Sequence, residues 1–129
     1  ARLYQAGLRG VDGPRGVAID ALNDDLSVRS DQARLWPQTE RLKAALILAE
    51  QAEGAERAAL LDDARKALAG LQRYLDPSGL WRDRMLADGT FVDEPSPASS
   101  LYHIAVAWEQ VRATATALPE IGFDLGQGA

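Results

Sequence analysis

The chain has 129 residues, 47% of them hydrophobic, and carries a formal net charge of −5 at pH 7. This length and apolar content are enough for one domain with its own core. The acidic balance argues against nucleic acid as a partner, because surfaces that bind phosphate backbones are basic.

No apolar run approaches the length needed to cross a membrane, and Ala1 to Tyr4 shows no apolar signal segment. The absence of cysteine fits a reducing compartment, so we predict a cytoplasmic protein without membrane contact. His103 is the sole histidine, and the sequence has neither a His/Cys ligand cluster nor a glycine-rich phosphate loop. We therefore predict no bound metal.

The first part of the chain predicts a helix followed by a hairpin. Residues 1–9 have the spacing of the end of a helix, which Gly10 terminates. Short alternating runs at 17–20 and 26–29 flank the turn-forming residues 23–25, and this pattern is typical of a small hairpin.

The remainder predicts three helices and a second hairpin. The predicted elements are a helix from about 37 to 52, a helix from about 55 to 75, a hairpin over 80–92 with its turn at 87–89, a helix from about 98 to 117, and a loose tail after Pro119. The order helix, hairpin, helix thus occurs twice. This rhythm predicts an all-α fold, part of an (α/α) toroid, with outer helices before the hairpins and inner helices after them.

The segment from Arg34 to Lys43 is the first candidate for function. Trp36, Gln38 and Glu40 surround the first turn of a predicted helix. A sugar site needs an apolar platform for the ring face and polar groups for the hydroxyls, and these residue types supply both. The alternative interpretation is a well-formed helix start stabilised by a tryptophan.

The segment from Ser99 to His103 is the second candidate. Imidazole titrates near neutral pH, so His103 is suited to general acid/base catalysis. Tyr102 precedes it and points about 100° away around the helix. Ser99 or Ser100 is a candidate helix cap, and a partly buried structural histidine is the alternative interpretation.

Trp81-Arg82-Asp83-Arg84 is the third candidate, on the second predicted hairpin. Alternating charges of this kind are typical of a solvated edge. The guanidinium group of Arg84 or Arg82 is nevertheless suited to a substrate phosphate or hydroxyl.

Together, Leu35-Trp36-Pro37-Gln38-Thr39-Glu40 and Pro97-Ala98-Ser99-Ser100-Leu101-Tyr102-His103 resemble the C-terminal part of the N-acylglucosamine 2-epimerase family. The likeness is strongest to its mannose isomerase and mannose-6-phosphate isomerase-like branch. It covers nearly the whole chain, and it implies that residues 1–129 are a portion of an (α/α)6 barrel with a central pocket.

The resemblance also implies an activity: aldose–ketose isomerisation or C2 epimerisation of a sugar, without a cofactor. His103 would be one of two histidines that move a proton between C1 and C2, with Glu40 as the second catalytic residue. Trp36, Gln38, Arg84 and Tyr102 would contact the substrate, a monosaccharide or sugar phosphate.

One feature departs from the family pattern. The other histidine, expected on an earlier inner helix in a His-x-x-Glu segment, has no counterpart here. Four long helices cannot close a barrel of twelve, so self-association or a missing N-terminal barrel segment is expected. The chain would then be a piece of a longer protein, a truncated gene product, or a subunit completed by a partner.

Two functions therefore stay open. The first is a sugar isomerase or epimerase, of which this chain is a C-terminal fragment that is inactive alone. The second is a non-catalytic helical module that binds a sugar or a protein and derives from the same fold.

Overall fold

A computed structural model of the chain describes residues 2–119. Within that range the helices are α1 (Arg2–Leu8), α2 (Leu35–Gln51), α3 (Gly54–Gln72) and α4 (Ala98–Ala117). The strands are β1 (Val11–Asp12), β2 (Val17–Ala18), β3 (Ala21–Leu22), β4 (Val28–Ser30), β5 (Ala33–Arg34) and β6 (Arg84–Met85). The predicted helical class with short antiparallel hairpins is confirmed, whereas the toroid stays a prediction.

The core forms where α2 packs against both α3 and α4. Apolar residues recur at helical spacing along α2 and α3, so each helix presents a continuous apolar stripe to its neighbour. The most buried members of this core are Val17, Ala33, Leu35, Leu42, Ala45, Leu46, Ala49, Ala64, Ala67, Tyr74, Met85, Ala107 and Val111. Helix α2 is consequently the central element, and α4 lies directly beside it.

The helix bounds agree closely with the predicted ones, and α4 matches them at both ends. Helix α2 begins at Leu35, slightly before Pro37, because the carbonyl oxygen of Asp83 accepts the N–H of Leu35 at 2.8 Å. Helix α3 ends at Gln72 rather than near Leu75, since Leu75 forms a β-bridge with Trp81. The predicted loose tail after Pro119 lies outside the described residues.

The first predicted hairpin is correct in its turn and wrong in one strand. Strands β3 and β4 pair across residues 23–27, around the predicted turn. Val17 and Ala18 instead form β2, which pairs with the preceding strand β1, Val17 opposite Asp12 and Ala18 opposite Val11. The side chain of Val17 is fully buried in the core, which fixes β2 against α3. The predicted strand over 17–20 therefore belongs to two successive hairpins.

The second hairpin has the predicted turn and an additional partner. The N–H of Leu86 donates to Thr90 at 2.8 Å, and Gly89 adopts the left-handed φ of +84° that this turn requires. Strand β6 also pairs with β5, Ala33 opposite Met85 and Arg34 opposite Arg84. This pairing joins the hairpin to the segment that leads into α2.

Helix α3 approaches the loop between β1 and β2 very closely at Gly70. A Cβ atom at this position would lie 2.6 Å from the carbonyl oxygen of Gly16, which is backbone and cannot move aside alone. The guanidinium groups of Arg41 and Arg73 donate to the carbonyl oxygens of Gly16 and Arg15 in the same loop. The loop is therefore held directly against the helix.

Helix α1 is attached to α2 and α3 through Asp63. The hydroxyl of Tyr4 donates to Asp63 at 2.5 Å, and the guanidinium group of Arg41 binds the same carboxylate at 2.5 Å. Burial, followed by the hydrogen bond to Asp63, raises the pKa of Tyr4 well above its usual value.

The Tyr4 contact predicts a loss of stability at alkaline pH. A group whose pKa is raised by folding contributes fully below its unfolded pKa of about 10 and loses that contribution as the pH rises through its folded pKa. Burial raises the pKa of Tyr74 as well, so ultraviolet titration with unfolding above pH 10 should show two late-titrating tyrosines, of which Tyr4→Phe removes one. An unchanged titration in that variant would contradict the assignment.

Candidate functional site

Helices α2 and α4 bring the two sequence motifs to one place. Trp36 and Glu40 lie one turn apart near the start of α2, and Tyr102 and His103 lie near the start of α4. The two helices pack side by side, so residues 63 positions apart in the chain come into contact. The arrangement comprises an indole, a carboxylate, a phenol and the sole imidazole.

A hydrogen bond links the two helices at the centre of this group. Nδ1 of His103 lies 3.3 Å from Oε1 of Glu40. The same Oε1 forms an ion pair with Lys43 Nζ at 2.8 Å, one turn further along α2. A neutral imidazole that donates from Nδ1 to a carboxylate keeps Nε2 as a free base, and this arrangement suits proton transfer.

Two aromatic rings flank the imidazole. The ring centroid of Trp36 is 6.2 Å from that of His103, with the planes tilted by 38°. Tyr102 lies edge-on, with its centroid 5.7 Å away and an interplanar angle of 73°. The side chain of His103 is only 29% exposed, whereas Trp36 and Tyr102 are 44% and 67% exposed, so the rings are available to a ligand from solvent.

Gln38 lies on the opposite side of α2, about 200° around the helix from Trp36. Its side chain is fully buried, its Oε1 accepts the N–H of Ala18 at 2.7 Å, and its Nε2 donates to the carbonyl oxygens of Ala18 and Arg34 at 2.8 Å. Its polar groups are thus occupied by the backbone. Gln38 therefore joins β2 to the start of α2, and its side chain points away from the imidazole.

Arg84 binds the side chain of Glu94, two residues beyond the second hairpin. Its guanidinium group contacts both carboxylate oxygens of Glu94 at 2.7–3.0 Å, in a bidentate pair. A phosphate would have to compete with that carboxylate. The structure therefore brings together four of the six predicted site residues: Trp36, Glu40, Tyr102 and His103.

Sequence reasoning missed Asp83, which it placed on a solvated edge. This carboxylate is only 4% exposed and lies between the starts of α2 and α4, beside Arg34 and Ser100. Ser100, a candidate cap, donates to Asp83 rather than to its own helix, and α4 has no side-chain cap. Charged residues on both sides of Asp83 in the sequence concealed its burial.

A cleft of about 350 Å³ adjoins the site on the α1 side. Trp36 and Glu40 border it, and most of its wall is apolar, formed by Leu3, Tyr4, Gly7, Leu8, Val11, Ala18, Pro37 and Ala44. Within residues 2–119, no three histidine or carboxylate side chains converge as ligands for a metal ion. Over the same range, no helix combines the length and apolarity needed to cross a membrane.

Comparison with known proteins identifies the family. The family model described as N-acylglucosamine 2-epimerase (GlcNAc 2-epimerase) matches residues 1–107, which include both site segments. The chain belongs to the N-acylglucosamine 2-epimerase family. This confirms the resemblance on which the sequence-based interpretation depended.

A curated member shares much of this sequence. The chain is 51% identical over 109 residues to a protein named mannose-6-phosphate isomerase from Rhizobium meliloti (strain 1021). The match covers 82% of this chain and 28% of that protein. The chain thus spans well under half the length of the curated relative that it matches.

Proposed function

We propose that this chain supplies the C-terminal part of a sugar isomerase or epimerase that interconverts an aldose of the mannose type and its ketose. The observation that carries the proposal is the contact between His103 Nδ1 and Glu40 Oε1, beside Trp36. It joins the two segments that resemble the family into one site. The names of the family and of its curated relative support the same reaction class.

In this proposal His103 is the general acid/base. Its Nε2 accepts the proton from C2 of the open-chain aldose while a second acid/base group protonates O1, and a neutral enediol forms. The imidazolium then returns the proton to C1 while the O2 proton is removed, which gives the ketose. Protonation of C2 on the opposite face by the second group, with loss of the O1 proton, gives the epimer. Glu40 accepts a hydrogen bond from Nδ1–H, fixes the tautomer and stabilises the imidazolium that forms during transfer.

The remaining residues bind the sugar. The indole of Trp36 is half exposed and offers an apolar face to the sugar ring, while the Tyr102 hydroxyl offers a polar group to a sugar oxygen. No cofactor is required, because the reaction moves a proton without net oxidation. A second acid/base group and the other wall of the pocket would come from the remainder of an (α/α)6 barrel, to which α2 and α4 contribute inner helices.

The proposal is tested by kinetics on the longest product of the gene that encodes this sequence. We expect it to convert mannose or mannose 6-phosphate to the ketose, and to incorporate solvent deuterium at carbon. His103→Ala should lower kcat by about 10²–10⁴-fold, the usual contribution of a general acid/base. Turnover that survives His103→Ala would overturn the assigned role.

The matched control is Glu109→Gln, further along α4, where the side chain is 74% exposed. We expect it to leave kcat and KM unchanged, so that damage to the helix is distinguished from loss of the imidazole. The 129-residue chain alone should bind sugar weakly and show no turnover.

The second candidate is a non-catalytic helical binding module. It applies if no product of the gene carries the second histidine of the family pattern, since this chain contains one. It predicts saturable binding of a sugar or protein with no deuterium incorporation by any product of the gene. Measured turnover would exclude it.

A further inference from the structure

Asp83 occupies an unusual position between the two helices that carry the site. It directly precedes β6, the strand that pairs with β5 at the entrance to α2. Its side chain is 4% exposed although a carboxylate is costly to bury without partners. The three groups around it belong to the starts of α2 and α4.

The contacts of Asp83 with α2 involve both its backbone and its side chain. Its carbonyl oxygen accepts the N–H of Leu35, the first residue of the helix, at 2.8 Å. Its Oδ2 lies 3.5 Å from Nε of Arg34, the N-cap residue, which forms no side-chain cap of its own. Trp36 is the next residue of α2, so these contacts fix the position of the backbone that carries the indole.

The contact with α4 uses the other carboxylate oxygen. Ser100 Oγ donates to Asp83 Oδ1 at 3.4 Å, and Ser100 is itself 5% exposed. Ser100 lies in the first turn of α4, where the helix dipole favours a negative charge. His103 is three residues further on, one turn along the same side of the helix.

We propose that Asp83 is a positioning residue, which holds the starts of α2 and α4 so that the His103 imidazole meets the Glu40 carboxylate. The proposal extends the function proposed above and depends on it for its kinetic consequence. The side chains of Glu40 and His103 are 42% and 29% exposed and belong to different helices. Their 3.3 Å contact depends on the separation of their helices, and a misplacement of about 1 Å can cost a reaction about 10²-fold.

The direct test is the tautomer of His103 in the 129-residue chain. This chain has one histidine, so its two imidazole nitrogen signals in NMR are unambiguous. In the unaltered chain we expect the neutral ring to carry its proton on Nδ1, facing Glu40. Asp83→Ala should reduce that tautomer and shift both nitrogen signals, because the helices separate at their starts.

The kinetic test uses the longest gene product. We expect Asp83→Ala to lower kcat by about tenfold to 10²-fold while KM changes little, since Asp83 affects the reacting geometry and not the sugar contacts. Ser100→Ala should act in the same direction with a smaller effect, and the double variant should be no worse than Asp83→Ala.

Asp88→Ala is the matched control, because Asp88 belongs to the same hairpin but accepts only from Thr90 in the exposed turn. It should leave the imidazole signals unchanged. If Asp83→Ala does not fold, the imidazole signals of Ser100→Ala test the proposal in its place. Unchanged imidazole signals in a folded variant overturn the proposal. A shifted tautomer in the 129-residue Asp83→Ala chain, together with no turnover by the unaltered gene product, would instead refute the proposed function and leave the positioning role standing.

Discussion

Replacement of Gly70 by alanine is expected to lower the free energy of unfolding by about 1–3 kcal/mol. The new Cβ would lie 2.6 Å from the carbonyl oxygen of Gly16, so either α3 or the β1–β2 loop must shift. That loop carries the carbonyl groups that bind Arg41 and Arg73, and a shift would weaken these contacts as well. Chemical denaturation followed by tryptophan fluorescence measures the loss.

Gly7→Ala is the matched control for this prediction. Gly7 lies in α1, where an added Cβ meets nothing within 4 Å. Alanine is favoured over glycine in a helix by about 1 kcal/mol, so this variant should be neutral or slightly stabilised. The same substitution therefore has opposite signs at the two positions. A stabilised Gly70→Ala would show that the loop is not held against α3.

Replacement of Gln38 by leucine is expected to lower the free energy of unfolding by about 2–5 kcal/mol. It removes three hydrogen bonds and leaves the N–H and carbonyl of Ala18, and the carbonyl of Arg34, without that partner. Each buried polar group that loses its partner costs about 1–3 kcal/mol. Thermal and urea unfolding measure the effect in the 129-residue chain.

Gln38→Glu should also destabilise the chain, and its effect on the free energy of unfolding should depend on pH. The introduced carboxylate would face the carbonyl oxygens of Ala18 and Arg34, which accept hydrogen bonds and do not donate them. Burial and these carbonyls raise the pKa of the new group above its unfolded value of about 4.3. Its destabilising effect should therefore be small at acidic pH and grow as the pH rises.

These two variants also distinguish a structural task from sugar binding. If Gln38 bound the substrate instead, both changes would raise KM at unchanged stability. The control is Gln51→Glu at the exposed end of α2, where the carboxylate meets solvent and stability should change by less than about 0.5 kcal/mol.

The helices could be predicted from the sequence because their signals are local. Apolar spacing and the flanking prolines and glycines define each helix within its own segment, and α4 was predicted at both ends. The hairpin turns were also predictable, because Asp88-Gly89 and residues 23–25 have the residue types that turns require.

Pairing between distant segments was not predictable in this way. Strand β2 pairs with β1 because Val17 is needed in the core, and the sequence of 17–20 alone does not show this. The pairing of β5 with β6 joins segments about fifty residues apart that have no sequence pattern in common.

The residues of the candidate site likewise divide into those that local sequence could predict and those that depend on distant segments. Trp36, Glu40 and His103 could be identified because their side chains have distinctive chemistry, and the family resemblance placed them together. Gln38 has suitable chemistry for sugar binding, yet the direction of its side chain depends on where β2 lies. Asp83 resembled a surface charge because its burial depends on the starts of two helices distant in sequence.

The pairing of β5 with β6 has a consequence for the order in which the chain folds. The pair of α2 and α3 involves neighbouring segments and carries a small loop-closure cost, so it can form early. The β5–β6 pair and the packing of α4 on α2 close much longer loops and should form later. Glu40 would then meet His103 only after α2 and α3 have packed together.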